Sequence, residues 1–324
     1  MKYSENQESS RDPKGINRRR FVKIAGISAL GVSSLGQFNF KTKGVSLVLD
    51  PADITAGSLP SQWAAQELEK SLTSGGIDVH RCDQLAQARS GDFHIVVAGT
   101  DSSIARQLLK DAKTNIPTVN EALGLVPVIS GDKQVLLACG YDVRGLVYAL
   151  LELVDRVQYS DQPFGSLTIH KPIIERPANA VRSVSRLFVS EIEDKPWFND
   201  REMWKQYLTM LASLRFNRFN LSLGIGYDFL QNVTDAYFLF AYPFFFSVPG
   251  YNVRVPQLSD VERDNNLEML KFISEQTAVR GIQFQLGIWM HGYEWLNSPN
   301  PNYTIEGLSS ENHGAYCRDA VRLL

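Results

Sequence analysis

Short apolar runs alternate with stretches of helical period from Val45 onward. Val45 to Asp50 is a largely apolar segment that reads as a strand, and Phe93 to Ala98 is a second. Between them, Trp63, Ala64, Leu68 and Leu72 recur near helical spacing, so Pro60 to Leu72 predicts a helix that stops at Gly75-Gly76. A further helix is predicted around Ile104–Lys110. Two apolar segments, Val126–Ile129 and Gln134–Ala138, flank Ser130-Gly131-Asp132-Lys133, which reads as a hairpin. Leu146, Ala149, Leu150, Leu153 and Val154 then mark a strongly apolar helix over Asp142–Val157. Pro172 and Pro177 punctuate a connector that closes this first unit near residue 178.

Past the connector the pattern becomes a strand–helix repeat. Val181–Phe188, Phe216–Leu223 and Ile282–Trp289 read as strands, and Asp200–Leu214, Asp260–Arg280 and Glu311–Leu324 as helices. A long aromatic insertion, Tyr237 to Pro256, separates the second strand from its helix. Repeated βα units predict a parallel sheet with helical crossovers, either doubly wound or a (β/α)8 barrel. The barrel is favoured because the chemically interesting clusters fall just after strand ends, where barrel enzymes place their sites. The predicted fold class is therefore α/β, a small α/β domain over 44–178 followed by an incomplete barrel over 179–324.

Residues 1–43 carry nine Lys/Arg and three Asp/Glu, which leaves 24 basic and 32 acidic residues in the remainder, a net charge of −8. That balance argues against nucleic acid as a partner. Arg18-Arg19-Arg20-Phe21-Val22-Lys23 followed by a short, Gly/Ser-diluted apolar run to about Leu35 has the layout of an export signal, too weak for a membrane span. The Arg-Arg-x-Phe-x-Lys order resembles the twin-arginine signal, which implies handling by that export machinery and a periplasmic or secreted protein. Cys82, Cys139 and Cys317 are too far apart for a paired-Cys metal motif.

The candidate site residues cluster at predicted strand ends. Arg182 and Arg186 lie four apart, so they share one side of a strand, expected to be the barrel interior or its mouth. A guanidinium fork suits sugar diols or a uronate carboxylate. Tyr227 follows the second strand. Trp289, His291, Tyr293 and Glu294 follow the third, where flat aromatic rings can stack on sugars and polar groups can bind hydroxyls. No metal site is expected, because His291 and Glu294 lack His-Glu-x-x-His spacing. No cofactor is expected either: Gly224-Ile-Gly226 lacks the third Gly and the helix of a dinucleotide site. The run Ala236–Phe246 reads as apolar packing on the barrel rim or as a sugar-platform loop.

Three stretches carry a resemblance. Gln134 to Leu153, a strand followed by a helix with Gly145 and Tyr148, resembles the end of the accessory domain of family 20 β-hexosaminidases and family 67 α-glucuronidases. Arg176 to Arg186 resembles the start of their first barrel strand, and Trp204 to Leu221, with Asn217 and Asn220, resembles their first helix and second strand. The resemblance implies an exported glycoside hydrolase acting on a polysaccharide-derived amino sugar or uronic acid. It places Arg182 on sugar hydroxyls and His291 in a site position. The catalytic carboxylates of those families have no counterpart here, so they are expected beyond Leu324, with the chain an N-terminal part of the enzyme. The alternative is a non-catalytic carbohydrate-binding protein on the same scaffold.

Overall fold

The computed structural model describes residues 44–131, 133–225, 227–228, 234–289 and 300–324. Six strands form the first sheet: β1 (Gly44–Leu49), β2 (Asp78–Cys82), β3 (Phe93–Gly99), β4 (Leu123–Ser130), β5 (Lys133–Gly140) and β6 (Ile173–Glu175), in the order β2-β1-β3-β5-β4-β6. The β2-β1-β3-β5 part is parallel, and β4 is antiparallel to both β5 and β6. The apolar strands alternate sides, as a pleated strand must. Val45, Leu47, Ile95 and Val97 face α1 (Leu59–Ser74) and α3 (Val143–Gln158), while Val48, Val96 and Ala98 face α2 (Ser103–Asp111). Being covered on both faces is why these strands read as predominantly apolar rather than as alternating apolar and polar positions. Helix starts are locally encoded: Asp142 accepts from Gly145 N at 2.8 Å and Ser102 from Ala105 N at 3.2 Å.

The second sheet is parallel in the order β7 (Ser183–Leu187), β8 (Arg218–Leu223), β11 (Gln283–Ile288). Helix α4 (Glu191–Phe198) and helix α5 (Arg201–Ser213) connect the first pair, and α6 (Asp260–Val279) precedes β11. Phe219, Leu221 and Leu223 pack with Trp204 and Leu208 of α5 and with Met269 and Ile273 of α6, all in one core. Ser183, Ser185, Gln283 and Gln285, on the opposite side, are exposed. Among the described residues, helices therefore cover one face only. That is single winding with neighbours in sequence order, the winding of a barrel rather than of a doubly wound sheet. Gly281 ends α6 with φ +70°, allowing Ile282 N to reach Thr277 O at 2.9 Å.

A short ribbon, β9 (Tyr227–Asp228) with β10 (Thr234–Asp235), follows β8, and α7 (His313–Val321) closes the described chain. The aromatic insertion is interior structure. Tyr237, Phe238, Leu239, Phe240, Ala241, Tyr242, Phe244 and Phe245 are all buried. Phe240 and Tyr242 pack on Tyr316 of α7 in a cluster of their own, while Phe238 and Phe244 join the main core. Among the described residues no helix is long and apolar enough to cross a membrane.

Candidate functional site

The C-terminal ends of β7, β8 and β11 share one rim. Phe188 N extends the β7–β8 pairing to Ser222 O at 2.9 Å, and Trp289 N extends β8–β11 to Leu223 O at 2.9 Å. The chain leaving β7 turns at once into α4. Ser190 caps that helix by accepting from Glu193 N at 3.2 Å, and Asp194 Oδ2 accepts from Val189 N at 2.7 Å and Ser190 N at 2.9 Å. Glu191, Glu193 and Asp194 place negative charge in the first turn, where the helix dipole favours it.

Asp235 reaches this helix start from β10. Its Oδ2 accepts from Glu191 N at 2.6 Å, and its Oδ1 accepts from Tyr237 N at 3.0 Å and Asn302 Nδ2 at 3.3 Å. Asp235 is 1% exposed. Burial, reinforced by the Glu191 charge, pushes its carboxyl above the ordinary 3.8, and the three donors only partly offset this.

Lys195, one helical turn after Glu191, lies 3.0 Å from Glu191 Oε1 and 2.5 Å from Glu262 Oε1 at the start of α6. Tyr303 donates to Glu191 at 2.8 Å and Tyr237 to Glu262 at 2.8 Å. Burial alone would lower the Lys195 ammonium; the bonds to Glu262 and Glu191 outweigh it, and the net shift is upward. Burial raises both phenols, keeping them protonated donors. Beside this cluster, Glu191, Ile192, Lys195, Pro196 and Asn199 line an open groove of about 540 Å³ on one face of α4. The rim thus offers carboxylate acceptors, an ammonium and phenol donors next to open space, a set able to bind hydroxyl-rich ligands.

Below the rim, the open sheet face is largely polar and, among the described residues, bears no carboxylate. In register it presents Ser183, Arg218 and Gln283, then Ser185, Asn220 and Gln285, then Leu187, Ser222 and Gly287. Arg218 donates to Gln283 Oε1 at 3.1 Å and Ser222 donates to Asn220 Oδ1. A Cβ at Gly287 would stand 3.1 Å from Ser222 Oγ and 3.3 Å from Asn220 Oδ1, so glycine leaves that row clear. Trp289 follows Gly287 by one pleat on the same face and is 69% exposed at the rim.

The predicted residues are placed unevenly. Trp289 stands at the rim. Tyr227 lies in the β9 ribbon just past β8. His291, Tyr293 and Glu294 lie outside the described residues. The expectation that Arg182 and Arg186 line the barrel interior or its mouth is corrected. Arg186 pairs in register with Leu221 on the helix-covered side, and its guanidinium lies 4.0 Å from the Trp197 ring centroid and 5.7 Å from that of Tyr207. Arg182 sits at the opposite, N-terminal end of β7, where it binds the buried Glu121 carboxylate and donates to Tyr148 Oη at 3.3 Å. A buried carboxylate requires a counter-charge, and Arg182 supplies it. Glu191, Lys195, Asp235, Glu262 and Tyr303 were not singled out from sequence. Their one local signal is the Ser190-Glu191 cap after a strand with Lys195 four residues on.

Among the described residues no group of three or more His, Cys, Asp or Glu side chains could hold a metal ion. No family model and no curated protein matches the sequence. Solved structures do match. A GH138 enzyme targeting pectin rhamnogalacturonan II is 19% identical with a TM-score of 0.51, over 75% of this chain and 24% of that one. CpGH84B is 12% identical with a TM-score of 0.42, over 76% of this chain and 33% of that one. A family GH115 4-O-methyl-α-glucuronidase with specificity for decorated arabinogalactans is 15% identical with a TM-score of 0.37, over 56% and 25%. The chain spans about a quarter of the length of the GH138 enzyme. Its fold is an α/β fold of the kind found in glycoside hydrolases.

Proposed function

We propose that the chain is the N-terminal part of an exported glycoside hydrolase, with an accessory α/β domain over 44–178 and the first strands of a catalytic barrel over 179–324. The observation that carries this reading is the second sheet: among the described residues it has three parallel strands, helices on one face only, and a largely polar open face that ends at an exposed Trp289. Parallel sheets are ordinarily covered on both faces, and further βα units curling into a barrel would cover this one while leaving its C-terminal rim open. Glycosidic cleavage uses a pair of carboxylates about 5 to 10 Å apart. In this reading that pair is supplied by strands following Leu324, while Trp289, the Glu191–Lys195 groove and, with them, Tyr227, His291, Tyr293 and Glu294 bind the sugar.

The substrate class is an amino sugar or uronic acid within a polysaccharide, the class implied by the family 20 and family 67 resemblance. The twin-arginine-like segment supports folding before export and a periplasmic or secreted location. The test is a screen of aryl-glycosides, aryl-uronides and pectic polysaccharides with the full-length gene product. Hydrolysis of one class supports the reading and names the sugar. Inactivity on all, with retained polysaccharide binding, replaces it with the non-catalytic carbohydrate-binding alternative.

A further inference from the structure

Two buried charges cross between the first sheet's half of the molecule and the second's. The Glu121 side chain, 3% exposed and just ahead of β4, accepts through Oε1 from Arg144 Nε at 2.9 Å and Asn217 Nδ2 at 2.7 Å, and through Oε2 from Arg182. Asn217 in turn accepts from Arg182 N at 2.9 Å and donates to Ala180 O at 2.8 Å, and Arg182 donates to Arg215 O at 2.6 Å. One carboxylate from the first half thus fixes the points where β7 and β8 begin. Its own position is held by the start of α3: a Cβ on Gly145 would fall 2.2 Å from Ala122 O, so only glycine lets that helix press against the Glu121 segment. From the other side, Arg280 is 5% exposed and donates to Thr209 Oγ1 at 3.0 Å, Gln276 Oε1 at 2.8 Å and Lys205 O at 3.1 Å. Its guanidinium lies 5.0 Å from the Trp63 ring centroid on α1.

We infer that the two halves form one cooperative folding unit coupled through Glu121 and Arg280, so that residues 44–178 position β7 and β8 and do not act as a tethered, separately folding module. Separating the halves would strip Glu121 of two of its three donors and open a hydrophobic core that runs without a break from Leu68 and Leu146 to Phe219 and Ile273. Removing one partner of a buried ion pair strands the other charge, a large penalty that is distinct from the pair's small net worth. The inference does not depend on what the protein binds.

Hydrogen exchange of the full chain, read by mass spectrometry on peptides covering β3 and β8, tests it. Val96→Ala opens a cavity on the α2 side of the first sheet, away from the second half. The expected result is an equal fold-increase in the opening of β3 and β8; an increase confined to β3 overturns the inference. Glu121→Gln should raise opening in both sheets together, on the order of a hundredfold. Unchanged opening, or loss of protection in β7–β8 alone, overturns it. If that variant does not fold, Arg144→Met, which keeps the Arg182 pair, should give a smaller but still equal rise, and an unequal rise overturns the coupling.

Discussion

Phe238 separates a packing role for the aromatic insertion from a sugar-platform role. The side chain is fully buried, and its ring centroid lies 4.7 Å from Phe188, 5.3 Å from Phe198, 4.6 Å from Tyr237, 5.7 Å from Phe244 and 4.7 Å from Phe245. Its backbone has φ +58°, a left-handed conformation costly for a side chain with a Cβ. Phe238→Ala removes the ring and keeps the backbone cost, so it should lose about 3–5 kcal/mol. Phe238→Gly loses the same ring but is freed of a left-handed penalty of roughly 1–2 kcal/mol, offset in part by its greater unfolded-state entropy. Glycine should therefore equal or exceed alanine here, the reverse of their ordinary order inside helices and strands. Urea unfolding followed by circular dichroism measures both, with Tm falling by on the order of 10 °C in the alanine variant. An alanine variant as stable as the parent would refute the packing account. An alanine variant clearly more stable than the glycine one would refute the backbone assignment.

Three further outcomes follow from the site. Trp289→Ala should change stability by less than about 0.5 kcal/mol, because the ring is exposed, yet weaken glycan binding at least about tenfold in calorimetric titration. Asp235 has a raised carboxyl, so the folded state holds its proton above the unfolded value of 3.8. This group's contribution to stability is present below 3.8 and is lost as pH rises through the raised value. Asp235→Asn should flatten that fall relative to the parent when unfolding free energy is measured across mildly acidic pH. Cys139, fully buried with its thiol pushed up to about 12, should resist a thiol reagent at pH 8 in the native protein, while the partly exposed Cys317 reacts first.

Much of the architecture was legible because burial on both faces and burial on one face leave different periods. The runs that became β1 and β3, and the helical spacing of Leu146, Leu150, Leu153 and Val154, announced the first sheet and α3 to within a few residues. Other elements were hidden for physical reasons. Strand β2 is an edge strand with the sequence Asp-Val-His-Arg-Cys, whose exposed polar positions carry no apolar alternation. Helix α4 contains Pro196, which reads as a breaker, yet in an eight-residue helix its missing N–H leaves only the Ile192 carbonyl of the first turn without a helical donor. The arginine pair shows a different limit. Period two predicts a shared side for Arg182 and Arg186, but which side of the strand faces helices depends on neighbours 35 residues away, such as Leu221 for Arg186. The rim cluster was the least visible, because Glu191, Asp235, Glu262 and Tyr303 come from four separate segments.

Calorimetric titration of pectic and amino-sugar oligosaccharides into the parent protein and Trp289→Ala bears most directly on the central claim that the C-terminal rim of the second sheet is a carbohydrate site. The account predicts saturable binding of at least one oligosaccharide by the parent and its loss or marked weakening in the variant. Equal binding by both proteins, or no binding of any glycan by the parent, would contradict it.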